Sequence, residues 1–249
     1  MLKVLSDLGG MALLAWDVLR LAARPPYRWK NLLLACEQVG VGSIFVVVLT
    51  GFFTGAVFGM QLSSAFALFD AQSLVGASVS LTLTRELGPV LTGLMVTGRA
   101  GSAIATELGS MRVTEQIDAL ATMAVDPKQY LLVPRVLAGV LTLPLLCMLM
   151  DVIGLWGAYL VAVPLGGISE AAFWSRIENW TDLADVAGGL IKASFFGAII
   201  TLASCLKGYH AQGGAKGVGE ATTQAVVLSS VLILVADYFL SAVMIPWWD

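Results

Sequence analysis

The chain has 249 residues, 58% hydrophobic and only 12% charged, with a mean hydropathy of +0.86. Soluble domains carry roughly 25% charged residues, so this composition describes an integral membrane protein. A net charge of −3 offers no basic surface for nucleic acid. Cys36, Cys147 and Cys205 are far apart and His210 is the single histidine, so no metal site or disulfide framework is expected. There is also no Gly-x-Ser-x-Gly elbow, and the glycine-rich Gly213–Gly217 has Gly217 where a Walker loop needs Ser or Thr after its lysine.

Residues 1–24 are apolar with a polar stripe at helical spacing: Lys3, Asp7, Gly10, Asp17, Arg20 and Arg24. Asp7 and Asp17 interrupt any signal-peptide core, so a helix lying in the membrane interface is favoured over a cleaved leader. Pro25-Pro26 ends it, and Arg28, Trp29 and Lys30 continue a basic, aromatic belt. About five crossings follow, near Val41–Met60, Leu87–Thr106, Leu132–Val152 (continuing towards Val163), Leu190–Leu206 and Ala225–Ile245, since a span needs roughly 20 apolar residues. The third run exceeds one crossing, which implies tilt or an extension beyond the bilayer.

On the first span, Gly51, Gly55 and Gly59 let another helix approach closely. Phe58, Leu62, Phe66 and Phe69 recur at i, i+4, i+8 and i+11, either as a lipid- or helix-facing stripe or as a surface for acyl chains. At the second span, Arg85 and Glu86 precede Pro89. Pro89 suits the first turn of a helix and Glu86 its positive end. The pair is then either a capped helix start or a charged rim, where Arg85 meets a phosphate and Glu86 tunes it. Asp151, Lys192 and Asp237 fall in the same outer half of the bilayer by helix rise. Ionisable groups there must pair or face a cavity, so clustering around an outward-opening cavity is expected, with structural ion pairing as the alternative. Arg99 lies in the inner half, about 12 Å of rise before Glu107. Gly98, Gly101, Ser102 and Ala103 surround it, and bonding to neighbouring backbone carbonyls is the first expectation.

Val113–Ala124 forms a short amphipathic helix: Val113, Ile117, Leu120 and Ala124 share a face, and Glu115, Gln116 and Asp118 point away. Thr114 is its expected cap, and Asp126-Pro127 ends it. Held between two spans, it has the form of a coupling helix pushed by a cytoplasmic motor, or of a plain surface helix. The loop from Gly166 to Asp185 is acidic, with a short helix expected over Ile168–Asn179.

Ten of the 14 Lys and Arg residues fall on one side: Lys3, Arg20, Arg24, Arg28, Lys30, Arg112, Lys128, Arg135, Lys207 and Lys216. That places the N-terminus and the 107–131 and 207–221 loops in the cytoplasm, and the C-terminus with its interfacial Trp247 and Trp248 outside. An odd number of spans with no evident repeat argues against two inverted halves in one chain and for a second copy. The fold expected is an all-α integral membrane protein, a single domain over 1–249, with an N-terminal interfacial helix, about five transmembrane helices and a short cytoplasmic coupling helix.

The segment LTRELGPVLTGLMVTGRAGSAIATELGSMRVTEQIDALATMAVDPKQYLLVPRVLAG (Leu83–Gly139) closely resembles the MlaE-type permeases of ABC transporters that work with MCE proteins. The similarity continues through GLWGAYLV (Gly154–Val161) and ATTQAVVLSSVLIL (Ala221–Leu234). The resemblance implies a homodimer, or a heterodimer with a paralogue, in the bacterial inner membrane. It implies two cytoplasmic ATPase subunits that hold the ATP and magnesium, with no cofactor in this chain. A periplasmic MCE-domain partner and phospholipid as substrate are implied as well. The family's charged pair maps to Arg85 and Glu86, its lipid-lining positions to Phe58 through Phe69, and its coupling helix to Val113–Met123, which takes in Glu115, Gln116, Asp118, Leu120 and Met123. An ion- or proton-coupled secondary transporter, motivated by Glu86, Asp151 and Asp237, is the alternative. An intramembrane lipid-modifying enzyme is a third, for which no nucleophile–base pair is visible.

Overall fold

A computed structural model describes residues 2–25 and 27–248, with side chains for 6–25 and 27–244. The expectations for Pro26, for Lys3 in the polar stripe and for the closing tryptophan side chains lie outside the described residues. The described chain is helical without strands. Helix α1 (Leu2–Ala22) is followed by α2 (Trp29–Val39), a 3-10 turn at Val41–Ser43, and α3 (Ile44–Ala67). After a 3-10 turn at Gln72–Leu74, α4 (Val75–Thr82), α5 (Gly88–Val96) and α6 (Ser102–Val113) are joined by π turns at Leu83–Leu87 and Thr97–Gly101. The short α7 (Gln116–Thr122) and a third π turn, Lys128–Leu132, lead into α8 (Val133–Ala162). Finally come α9 (Glu170–Trp180), α10 (Leu183–Tyr209) and α11 (Gly214–Trp248).

Among the described residues four helices are long and apolar enough to cross a membrane: Trp29–Ala67, Lys128–Ala162, Leu183–Tyr209 and Gly214–Met244. The fifth expected crossing, Leu87–Thr106, is not among them. It falls within the run α4–α6, which the two π turns segment. The expected length of the third run is observed, since the 30 residues of α8 rise about 45 Å against roughly 30 Å of hydrocarbon. The outer short helix is also present, one residue longer at its end than expected, with Ser169 accepting a hydrogen bond from the Ala172 amide at 3.3 Å as its N-cap.

The chain divides into two compact units, and the division runs through α5, α8, α10 and α11. Unit 1 comprises Met1–Ser43, Gly93–Thr142 and Ser194–Val235. In it α1 buries Met11, Leu14 and Val18 and exposes Leu13, Trp16 and Leu19, so both of its faces are largely apolar. Its polar stripe is spent on ion pairs: Asp7 with Lys207 at 2.7 Å and Asp17 with Lys128 at 2.6 Å.

Unit 2 comprises Ile44–Thr92, Leu143–Ala193 and Ala236–Asp249. Its core is Val75, Val79, Leu83, Ala158, Ala162, Ile168 and Phe173. The α3 glycines do what their spacing suggests. A Cβ on Gly51 would touch Met150, one on Gly59 would touch Ala158, and one on Gly55 would overlap the Gly154 carbonyl, so α3 and α8 meet backbone to backbone. Within a bilayer such contacts replace the hydrophobic effect as the source of helix association.

Candidate functional site: a buried lysine network

The site is built on an irregularity in a helix. At the Leu83–Leu87 π turn the Gly88 amide bonds to the Leu83 carbonyl, five residues back. Pro89 follows, and it has no N–H to offer the Arg85 carbonyl four residues earlier. A backbone oxygen left without a partner inside a membrane protein must be satisfied from elsewhere. Lys192 of α10 does this, with Nζ donating to the Arg85 carbonyl at 2.9 Å. Pro89 therefore does not mark a helix start, as the sequence suggests; it sits inside a helical run whose wide turn absorbs the missing bond.

The same ammonium organises the charges around it. Lys192 Nζ lies 2.8 Å from Glu86 Oε2 and 3.3 Å from Asp237 Oδ1, and it donates to Ser241 Oγ at 2.7 Å. Ser241, one turn after Asp237 on α11, has its hydroxyl 2.8 Å from the Asp237 carbonyl and 3.1 Å from Glu86 Oε1 as alternative acceptors. Lys192 is 0% exposed, whereas the Glu86 side chain is 40% exposed. The network thus has a buried cation at its centre and one carboxylate open to the outside. Next to it, Arg85 Nε donates to Asp185 Oδ1 at 2.7 Å, and the Asp182 amide donates to Asp185 Oδ2 at 2.9 Å. Asp185 and Lys192 are seven residues apart and share a face of α10. Arg85, Glu86, Lys192 and Asp237 are therefore brought together, as expected for the outer-half charges. Asp185 and Ser241 complete the group and were not singled out from sequence. The helical repeat from Lys192 and from Asp237 is the signal that points to each.

Asp151 stands apart from this network. Its Oδ2 is 3.7 Å from Cys147 Sγ, its Oδ1 has no hydrogen-bond partner among the described residues, and a Cβ on Gly88 would collide with it. Of the aromatic stripe, Leu62 and Phe66 pack against the core of unit 2 and Phe58 is half-buried. Phe69 lies beyond the end of α3 and is exposed, so the four residues do not form one continuous helical face.

The asymmetry in exposure supports a specific prediction for Asp185, whose side chain is only 2% exposed. Asp185→Ala strips Arg85 of its carboxylate and should cost about 2–3 kcal/mol, the lower end for a buried pair because Arg85 is part-exposed. A lowered melting temperature in detergent checks it, with exposed Glu178→Ala as the control that stays unchanged.

Unit 1 holds the other two expected charges. Arg99 Nη1 donates to the Gln38 carbonyl, and its guanidinium fills the space where Gly42 has no side chain. This is the backbone-bonded arginine expected from the small residues around it. Glu107 pairs with Arg135 at 2.7 Å.

The coupling-helix candidate, α7, is shorter than its sequence suggests. Val113 closes α6, and Thr114 does not cap α7, because its hydroxyl bonds back to the Ser110 carbonyl at 2.8 Å. Glu115 takes the N-cap position with φ 60°, and Ala124, just past the helix, has φ 58°. Ile117 is buried and Leu120 half-buried, while Glu115, Gln116, Asp118 and Met123 are exposed. Arg112 holds Asp118 at 2.6 Å.

Similarity to known proteins agrees with this geometry. The family model described as Permease MlaE matches residues 32–243. The chain is 43% identical over 240 residues to a probable ABC transporter permease protein of Rickettsia felis, covering 96% of this chain and 93% of that one. It is 40% identical over 228 residues to the intermembrane phospholipid transport system permease protein MlaE of Haemophilus influenzae, covering 90% and 87%. It is also 40% identical over 214 residues to the chloroplastic protein TRIGALACTOSYLDIACYLGLYCEROL 1 of Arabidopsis thaliana, covering 86% of this chain and 61% of that one. With a family match across most of its length and relatives aligned nearly end to end, this membrane protein belongs to the MlaE permease family.

Proposed function

We propose that two copies of this chain form the membrane pathway of an ABC transporter that moves phospholipids between the inner membrane and a periplasmic MCE-domain partner. Two separate cytoplasmic ATPase subunits bind and hydrolyse the magnesium-ATP. The chain itself is non-catalytic, with its N-terminus in the cytoplasm and its C-terminus in the periplasm. The names of the Rickettsia and Haemophilus relatives support the transporter class and the lipid. The observation that carries the mechanical part is α7, a polar helix fixed at both ends by left-handed residues, with Gln116, Asp118 and Met123 exposed for a partner to push. At the other end, Glu86 is the accessible member of the Lys192 network. A lipid phosphate approaching Arg85 exchanges with it as counter-ion, while apolar side chains of α3 accompany the acyl chains.

Purification of the tagged chain should bring down an ATPase, an MCE-domain protein and phospholipid identifiable by mass spectrometry. Glu115→Lys leaves the left-handed backbone position no worse occupied, so with Asp118→Lys it tests charge alone. Both variants should insert normally yet lose at least about tenfold of ATP-driven lipid transfer, since a charge reversal at a partner surface typically costs several kcal/mol of encounter and docking. Unchanged transfer would remove α7 as the coupling element. A second reading, proton-coupled transport, is favoured by buried Asp151 with its unpartnered oxygen. Uptake driven by a proton gradient in vesicles of the purified chain, without any ATPase, would establish it instead.

A further inference from the structure

Unit 1 contains a groove of about 310 Å³ that neither the lysine network nor α7 uses. Its wall is apolar, formed by Leu21 of α1, Leu32 of α2 and Val133 and Leu137 of α8. One end is rimmed by Arg24 and Arg28, with Tyr27, Trp29 and Gln129 beside them. The volume is at the lower end of the roughly 300–1,000 Å³ typical of ligand sites.

The charges at this rim differ from the rest of the unit. Arg112, Lys128, Arg135 and Lys207 each form an ion pair with a carboxylate. Among the described residues, Arg24 and Arg28 form none. Both are nevertheless held in place. The Gln129 amide donates to the Arg24 carbonyl at 2.9 Å, and the Arg28 guanidinium stacks over the Tyr130 ring at 4.4 Å. Stacking leaves the planar edge of a guanidinium open for a bidentate anion. Tyr27 and Trp29 are 59% and 68% exposed, as amphipathic rings are at headgroup level. A wall without charge that ends in two cations lacking a counter-ion matches one chemistry: a negatively charged head joined to a hydrocarbon tail.

We propose that this groove binds an anionic phospholipid from the leaflet on the side of the basic loops, with its phosphate on Arg24 and Arg28 and an acyl chain along Leu32, Val133 and Leu137. This site is separate from the lysine network and does not depend on the chain being a lipid transporter. Bound there, the lipid joins α1 to α8 and ties the docking of the N-terminal helix to the charge of the surrounding membrane.

The test uses the purified full chain in phosphatidylcholine nanodiscs doped with phosphatidylglycerol or phosphatidylcholine carrying an acyl-chain diazirine. Cross-links are then mapped by peptide mass spectrometry. Phosphatidylglycerol should label the Leu32 and Val133–Leu137 peptides at least about fivefold more than phosphatidylcholine. Arg24→Gln with Arg28→Gln should abolish that preference. Leu137→Trp keeps both arginines and fills the groove, so it should block labelling while the melting temperature stays close to wild type. Equal labelling by the two lipids, or labelling undiminished in Leu137→Trp, would overturn the proposal. Competition by soluble glycerophosphate would also overturn it, by showing a free-anion site, as would a cross-link from the groove to a partner's helix in the purified complex. ATP-driven lipid transfer in the same wild-type preparation reads the transport function independently, so either reading can fail alone.

Discussion

Replacing Lys192 with methionine is expected to destabilise the protein by about 3–5 kcal/mol, because it removes the one cation shared by two carboxylates and a backbone carbonyl. Methionine fills much of the same volume, so the effect isolates charge and hydrogen bonding from packing. Glu86 recovers part of its hydration because it is open to the outside, and the loss therefore falls mainly on Asp237 and on the Arg85 carbonyl that Pro89 cannot serve. For a chain of this size the penalty corresponds to a drop of roughly 6–20 °C in melting temperature. The compensated triple variant, Lys192→Met with Glu86→Gln and Asp237→Asn, removes the orphaned charges and should regain most of that drop. It should not regain lipid transfer, because the exposed carboxylate and its buried partner are both gone. A melting temperature for the single variant within about 4 °C of wild type would show that the network contributes little to the fold.

The second large effect is steric. Gly55→Val should prevent accumulation of folded protein, and Gly55→Ala should already cost about 1–3 kcal/mol or more. The reason is what stands opposite: a Cβ at Gly55 meets the carbonyl group of Gly154, which is main chain and has no rotamer to change. Either the two helices move apart, taking the Gly51–Met150 and Gly59–Ala158 contacts with them, or the span does not pack. Gly9→Ala on α1 is the matched control, since nothing lies within 4 Å of its would-be Cβ. There alanine should be neutral or slightly stabilising through its higher helix propensity. Membrane-inserted yield and a monodisperse profile on size exclusion separate the two outcomes.

Much of this was readable beforehand, for reasons that differ by feature. The long apolar runs are legible because a bilayer demands them, and the α3 glycines because a period of four has few uses other than close packing. Helix rise alone put Glu86, Lys192 and Asp237 at one depth, and cost in a low-dielectric medium then required partners. Depth does not specify azimuth, so the same argument admitted Asp151, which faces Cys147 and Gly88 instead. Asp185 passed as a loop residue because its role depends on the turn of α10 on which it lands. Thr114 illustrates a local competition: the same hydroxyl can cap the helix after it or bond to the one before it, and the end of α6 takes it. The π turns left no signature that composition or period could expose, since one additional residue in a helix changes neither.

Those wide turns make the polypeptide sensitive to length in a way that substitutions do not probe. Two of the three, Leu83–Leu87 and Lys128–Leu132, are followed within two positions by a proline. Excising a single amino acid from the first would restore ordinary winding, but everything after it would swivel by about 100° relative to what precedes. Buried Thr92, now 3.1 Å from the sulfur of Met150, would swing off it. Natural variants of this segment are therefore expected to exchange side chains freely while keeping the residue count invariant.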